Sequence, residues 1–387
     1  MKPILKTGSN SFQLLAKDRE TLARRGILRT AHGDIQTPFF MPVGTNGTVK
    51  TLSSEDLQEM HSPIVLSNTY HLFIRPGTAV IKKAGDLHSF MNWHKPILTD
   101  SGGYQVFSLA PLRKVTDEGV QFQSHFDGKT HFLTPEEVIA IEGILGSDIM
   151  MPLDECAPYP CEPEHAQEAL ERTTRWARRS KDFFLSKKIA KDRQLLFGII
   201  QGSSFKELRE QSAKAIVEIG FDGYAVGGVS VGEPVSLMFE TLAWVEPLLP
   251  EAQPRYFMGI GYPDQMVRAV AAGMDMFDTV IPTRFGRNGS AFTNCGRLAM
   301  RNAEYIEDFH PLDEDCRCIV CQKYTRSYIR HLLNAGEILG LKLLAYHNVF
   351  FYIHLLERIR QAIEQGTFKQ FHDNFLAHFK PNSEGAL

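Results

Sequence analysis

The stretch from Leu195 to Val226, LLFGIIQGSSFKELREQSAKAIVEIGFDGYAV, sets the pattern of the chain. A short apolar run, Leu195 to Ile200, breaks off at the polar Gln201-Gly202. Helical sequence follows, and a second apolar run, Tyr224 to Val226, opens onto Gly227-Gly228. Short apolar runs bounded by turn residues read as buried strands, and their alternation with helical sequence reads as units of a parallel sheet. The same unit recurs in both directions. The other runs are Pro38 to Val43, Ile64 to Leu66, Pro96 to Leu98, Ile149 to Leu153, Tyr256 to Ile260 and Met274 to Phe277. Eight strands alternating with helices predict the α/β class and a (β/α)8, TIM-like barrel.

Other signals fill in the organisation. Thr134 ahead of Pro135-Glu136-Glu137 predicts a capped helix start, and Pro263 to Met274 opens with Pro-Asp and carries an apolar stripe. Between the third and fourth runs, Val115 to Leu133 alternates roughly and contains Asp127-Gly128, predicting a hairpin inserted near 110–133. The eighth run leads into a loop with Pro282, Gly286 and Gly289, a cysteine cluster, and helical patterns through about Phe379. Tyr328 to Leu344 and Phe350 to Ile363 both have apolar residues at helical spacing. The expected division is a catalytic barrel over 1–290 and a zinc-binding helical appendage packed on it over 291–387.

Composition excludes some classes. With 43% hydrophobic and 22% charged residues in 387, the chain is neither disordered nor fibrous. No apolar run approaches the roughly 20 residues that span a bilayer, and the start, Met1-Lys-Pro-Ile-Leu-Lys, lacks the apolar core of a leader, so no membrane role and a cytoplasmic location are expected. The net charge of -3 advertises no polyanionic partner, which leaves nucleic-acid contact to local basic clusters. Two exist: Arg172, Arg175, Arg178, Arg179 and Lys181, and Arg317, Lys323, Arg326 and Arg330. Each alone reads first as a solvated helix face.

Three of the six cysteines, Cys316, Cys318 and Cys321, supply three thiolates in one tight loop, and a structural zinc needs four tetrahedral ligands. His310, His331 and His347 all qualify by position as the fourth, and spacing does not choose among them. A closed four-ligand site has no room for a reactive water, so such a metal stabilises the fold.

In a barrel the site lies where strands end. Run three ends in Thr99-Asp100-Ser101-Gly102-Gly103-Tyr104-Gln105, run four in Asp154-Glu155-Cys156, run five in Gln201-Gly202, run six in Gly227-Gly228-Val229-Ser230, run seven in Gly259-Ile260-Gly261 and run eight in Asp278. Two carboxylates facing a sugar suit attack on an anomeric carbon, one as nucleophile and the other managing protons. Asp154 and Gln201 suit a flat heterocycle, because a carboxylate accepts from ring N–H and exocyclic amine while an amide donates to a carbonyl, a pattern that describes guanine. Glycines at 102, 103, 227 and 228 allow close backbone approach, and Tyr104 or Met258 can sandwich a ring.

These motifs, Thr99-Asp-Ser-Gly-Gly-Tyr-Gln-Val-Phe-Ser-Leu, Gly227-Gly-Val-Ser-Val-Gly-Glu, Met276-Phe-Asp-Thr-Val-Ile-Pro-Thr-Arg and Cys316-x-Cys-x-x-Cys with His347-Asn348, run in order across the chain. The sequence resembles the bacterial tRNA-guanine transglycosylases. The resemblance implies a pentosyltransferase, a homodimer with one structural zinc per subunit, that replaces the wobble guanine of GUN-anticodon tRNAs with the small base 7-aminomethyl-7-deazaguanine in queuosine synthesis. It implies Asp278 as the nucleophile that forms a covalent tRNA intermediate and Asp100 as the general acid/base. Asp154, Gln201, Ser101, Gly102, Gly103 and the Gly228 backbone would bind the base, with Tyr104 and Met258 stacking on it and Val229 offering its carbonyl. His347 would complete the zinc ligands. Gly259, Gly261, Tyr262, Thr283, Arg284, Phe285, Gly286 and Arg287 would face the tRNA.

The chain departs from the family's pattern at Tyr262, usually lysine, at Phe285-Gly286, usually Asn-Ala, and at Val229, usually leucine. Val231 fits the bacterial pattern, where the eukaryotic enzymes usually have glycine. Two other readings fit less of the sequence: a non-catalytic tRNA-binding paralogue, which is expected to lose a catalytic aspartate, and a barrel nucleoside hydrolase, which needs no anticodon contacts.

Overall fold

The computed structural model describes residues 11–109, 113–186 and 194–380. All eight apolar runs form strands: β1 (Phe39–Pro42), β2 (Val65–Asn68), β3 (Ile97–Asp100), β4 (Ile149–Met150), β5 (Leu195–Ile200), β6 (Gly223–Val226), β7 (Arg255–Phe257) and β8 (Met276–Thr279). They pair in parallel in the order β1-β8-β7-β6-β5-β4-β3-β2. A Val43↔Leu66 bridge and a Gly44 N–H to Leu66 carbonyl bond of 2.6 Å join the ends, so the sheet is a nearly closed barrel.

Period-2 alternation sorts each strand into two cores. Phe39, Met41, Ile64, Leu66, Leu98, Ile149, Phe197, Ile199, Ala225, Tyr256 and Met276 fill the interior. Their neighbours Phe40, Val65, Ile97, Met150, Leu196, Val226, Phe257 and Phe277 face the helical layer. Continued one step, the inward parity reaches Asn68, Asp100, Gln201, Met258 and Asp278. The interior therefore turns from apolar to polar at one level, the carboxyl ends of the strands.

The opposite end is closed by an antiparallel sheet of Phe12–Lys17, Arg24–Thr30 and Gly33–Thr37, which inserts Phe12, Leu28 and Ile35 into the interior cluster. The sequence reading began at Pro38 and missed this floor. Arg24–Thr30 does alternate in burial, but Arg24, Arg25 and Arg29 hide the alternation. Arg24 is buried against Asp275, its Nε and Nη2 donating at 3.0 and 2.5 Å. Breaking such a pair by removing one partner costs about 3–5 kcal/mol.

The insertion is three strands rather than a simple hairpin: Arg113–Val115, Val120–Gln123 and Thr130–Leu133, with Asp127-Gly128 in the second turn. Its expected beginning at 110–112 lies outside the described residues, as do residues 1–10, where no leader was expected, and 381–387. Thr134 caps the helix Pro135–Leu145 in a reciprocal capping box with Glu137.

Beyond β8 come a two-stranded ribbon (Ser290–Thr293 and Gly296–Ala299) and the helices Arg326–Ala335, Ile338–Glu364 and Phe368–His378. The expected helix from Tyr328 to Leu344 is two helices, broken at Gly336 in the left-handed region. Ile338–Glu364 holds no unbroken apolar run of membrane-spanning length, and although by overall length and composition alone it could cross a membrane, 67% of its most apolar window is buried in the protein. It docks on the barrel as a core helix. Asn348 Nδ2 donates to the carbonyls of Pro282 (3.0 Å) and Ser290 (2.9 Å), and the Tyr352 hydroxyl donates to Gly261 (2.7 Å).

Candidate active site and metal centre

Asp100 and Asn68 occupy paired positions on β3 and β2. Asn68 Nδ2 donates to Asp100 Oδ1 at 2.6 Å, and the Gly102 N–H donates to the same oxygen at 3.0 Å. Burial pushes the Asp100 carboxyl up to about 7; the Asn68 bond opposes this, and the charge of Asp278 adds to it. Asp278, on β8, accepts from the Tyr256 hydroxyl at 2.6 Å and the Gly259 N–H at 2.8 Å. Burial raises it above the usual carboxylate range despite these donors. The two carboxyls are thus near enough to repel, and each is held from its own side.

Asp154 lies in the irregular segment after β4. Its Oδ2 accepts from Gln201 Nε2 at 2.7 Å and its Oδ1 from the Ser101 hydroxyl at 3.3 Å. Burial moves it up to about 6. Gly103 requires its hydrogen side chain, because a Cβ there would sit 2.7 Å from the Asp154 carbonyl. Gly228, at φ +60°, packs so closely on Gln201 that a Cβ would meet its Oε1 at 2.2 Å. Val229 is buried, Met258 half-buried, and Tyr104 lies 53% exposed at the rim. The N–H groups of Ser230 and Val231 both donate to the Glu233 carboxylate, the latter at 2.9 Å.

The residues expected to face tRNA divide. Arg284 and Gly259 are exposed, and Tyr262 and Arg287 are half-buried, Arg287 donating to the Thr283 carbonyl at 3.2 Å. Thr283, Gly261 and Gly286 are buried. A Cβ on Gly286 would lie 2.6 Å from the Ala345 nitrogen, so this glycine lets the barrel approach the long helix. Phe285 packs edge-on between Tyr262 and Phe292, with the Arg297 guanidinium 5.1 Å from its ring. The first basic cluster is largely committed within the protein: Arg172 to Glu155, Arg175 to Asp117 and Arg179 to Glu136. In the second, Arg326 pairs with Asp308 at 2.9 Å and Arg330 donates to the Asn302 carbonyl.

Sequence reasoning missed Asn68 and Tyr256. Asn68 ends the second strand as Asp100 ends the third, and inspecting that strand end would have found it. Tyr256 reads as an ordinary apolar strand residue; only the parity it shares with Met258 hints that it points inward.

Cys316, Cys318, Cys321 and His347 come together, while His310 is exposed and pairs with Asp308. The His347 Nδ1 lies 3.7, 3.5 and 3.3 Å from the three Sγ atoms in turn. A tetrahedron with Zn–S of about 2.3 Å and Zn–N of about 2.0 Å has an S···N edge of about 3.5 Å, so the donors are set for one ion of that size. His347 Nε2 donates to the Phe292 carbonyl at 2.7 Å, which fixes the tautomer and leaves the Nδ1 lone pair for a metal. The group could hold one metal ion, and three thiolates with an imidazole suit zinc.

Fold and site define an α/β-barrel enzyme with convergent carboxylates at the strand ends and a separate Cys–His cluster in the C-terminal segment. The queuine tRNA-ribosyltransferase family profile matches residues 18–381. The chain is similar to the queuine tRNA-ribosyltransferases of Pelotomaculum thermopropionicum, 56% identical over 96% of this chain and 99% of that one, and of Desulforamulus reducens, 54% identical over 94% and 97%. That of Caldanaerobacter subterraneus is 52% identical over 96% and 98%. The chain belongs to the queuine tRNA-ribosyltransferase family, the tRNA-guanine transglycosylases of queuosine synthesis, and is a pentosyltransferase.

Proposed function

We propose that this enzyme exchanges the wobble guanine of GUN-anticodon tRNAs for 7-aminomethyl-7-deazaguanine by double displacement. One observation carries the reading: Asp278, held by Tyr256 and Gly259, and Asp100, held by Asn68, meet beside the Asp154–Gln201 pair.

The Asp278 carboxylate attacks the ribose C1′. The C1′–N9 bond breaks, its electron pair leaves with guanine, and protonated Asp100 supplies the proton. The incoming base then gives its N9 proton to the Asp100 carboxylate and attacks C1′, releasing Asp278. A carboxyl near 7 serves both halves because both forms are populated at neutral pH. Asp154 accepts from the ring N–H and exocyclic amine, Gln201 and the Gly228 N–H address the carbonyl, Ser101, Gly102 and Gly103 shape the pocket floor, and Tyr104 and Met258 close on the ring faces. Gly259, Gly261, Tyr262, Thr283, Arg284, Phe285, Gly286 and Arg287 form the tRNA side, with Arg284 and Arg287 as its phosphate contacts.

The Cys316, Cys318, Cys321 and His347 site holds one zinc per subunit, which braces the 291–387 appendage against the 1–290 barrel and takes no part in the chemistry. The working form is a cytoplasmic homodimer. Incubation of the enzyme with labelled guanine and a GUN-anticodon tRNA tests the reading: label enters the tRNA if it holds, and absence of incorporation contradicts it.

A further inference from the structure

Arg209 lies on the helix Lys206–Ile219 behind the base pocket and is fully buried. Among the described residues no carboxylate hydrogen-bonds its guanidinium. It donates instead to four carbonyls: Nε to Ser203 at 2.7 Å, Nη1 to Ile200 at 3.1 Å and Gly227 at 2.6 Å, and Nη2 to Gly228 at 2.8 Å. Burial lowers it to about 10, so it stays a cation at neutral pH. A buried cation satisfied only by backbone is costly to keep. What it does to that backbone is specific.

In a planar trans peptide the C=O and the N–H point in opposite directions. With the Gly227 and Gly228 carbonyls turned onto Arg209, the N–H groups of Gly228 and Val229 point away from the helix, toward the barrel mouth. Among the described residues neither N–H has an acceptor within the protein, whereas the next two, of Ser230 and Val231, are taken by Glu233. An unpaired N–H on a residue as buried as Val229 is rare unless a ligand completes it.

We propose that Arg209 is a positioning residue for the base: it fixes two successive peptides so that the Gly228 and Val229 N–H groups form a paired donor for the carbonyl of a 6-oxopurine or its deaza analogue. The inference rests on the base-exchange reading above and extends it to a residue that touches no substrate. The guanidinium fork matters as well as its charge, because one ammonium cannot hold four carbonyls in fixed directions.

Arg209→Lys and Arg209→Gln test this, the second avoiding a buried charge should the first fail to fold. The readouts are the KM for guanine, the inhibition constant of 2-aminopurine, which lacks the 6-oxygen, the KM for tRNA, and the rate of covalent enzyme–tRNA adduct formation without free base. The expected result is a rise of about tenfold in the KM for guanine, the loss of one good hydrogen bond to a ligand. The preference for guanine over 2-aminopurine shrinks by a similar factor, the rate of adduct formation falls with it because the departing wobble guanine uses the same donor pair, and tRNA KM, set mainly by phosphate contacts, stays within about twofold. An unchanged guanine preference in a folded variant overturns the proposal, and so does an equal loss of guanine and 2-aminopurine binding, which would make Arg209 a general scaffold residue. Failure of the unaltered enzyme to form adduct would count against the Asp278 reading, whereas the guanine preference judges Arg209 by itself.

Discussion

Asn68 and Asp100 face each other across the β2–β3 register, joined by a 2.6 Å bond from amide to carboxyl. This bond stabilises the charged form of a carboxyl that burial and Asp278 push toward neutrality. Removing it in Asn68→Ala raises the Asp100 pKa further, so in the proposed exchange less carboxylate is available at pH 7 to take the proton of the incoming base. The acid limb of the pH–rate profile should move to higher pH by about one unit, equivalent to a hydrogen bond to an ion of about 1.5 kcal/mol. Guanine exchange measured from pH 5 to 9 checks this, and an unmoved limb would dissociate Asn68 from the titration.

The metal centre makes a separate prediction. Cys318 is buried and its Sγ also accepts from the Cys321 N–H at 3.4 Å, so Cys318→Ala removes both a proposed zinc ligand and a loop contact. Purified variant protein should lose bound zinc and melt at lower temperature. One zinc per chain by elemental analysis of the variant would contradict the ligand set.

At the barrel floor, Asp148 accepts from the His32 ring at 2.9 Å, the His88 ring at 3.2 Å and the Ile97 N–H at 2.9 Å, with the two rings stacked 3.7 Å apart. Burial would raise this carboxyl, but these donors hold it well below the usual range. A depressed folded pKa contributes stability that is full above the unfolded value, about 3.9, and is lost as pH falls through the folded one. Asp148→Asn should therefore lose about 3 kcal/mol at pH 7. In urea unfolding the gap from the parent should narrow below about pH 4; equal stabilities at pH 7 would remove Asp148 from this role.

The alternation of short apolar runs with helical sequence made the barrel legible, and the polar residues closing the runs made Asp100, Asp154, Gln201 and Asp278 legible with it. Residues whose sequence signal is mixed were harder to read. Arg24 and Arg209 look like solvated charges and are buried, because their partners, Asp275 and four backbone carbonyls, are supplied by distant or main-chain groups that no local pattern encodes. Tyr256 looks like core and also donates its hydroxyl to Asp278. The choice of His347 among three histidines depended on the family resemblance; in the structure it follows from a helix that brings position 347 back over the cysteine loop.

The most direct measurement is the covalent adduct itself. Enzyme mixed with a GUN-anticodon tRNA, denatured and run on a gel should show a shifted enzyme–tRNA band, and Asp278→Ala should abolish both this band and guanine exchange. A shifted band that persists in Asp278→Ala would contradict the account.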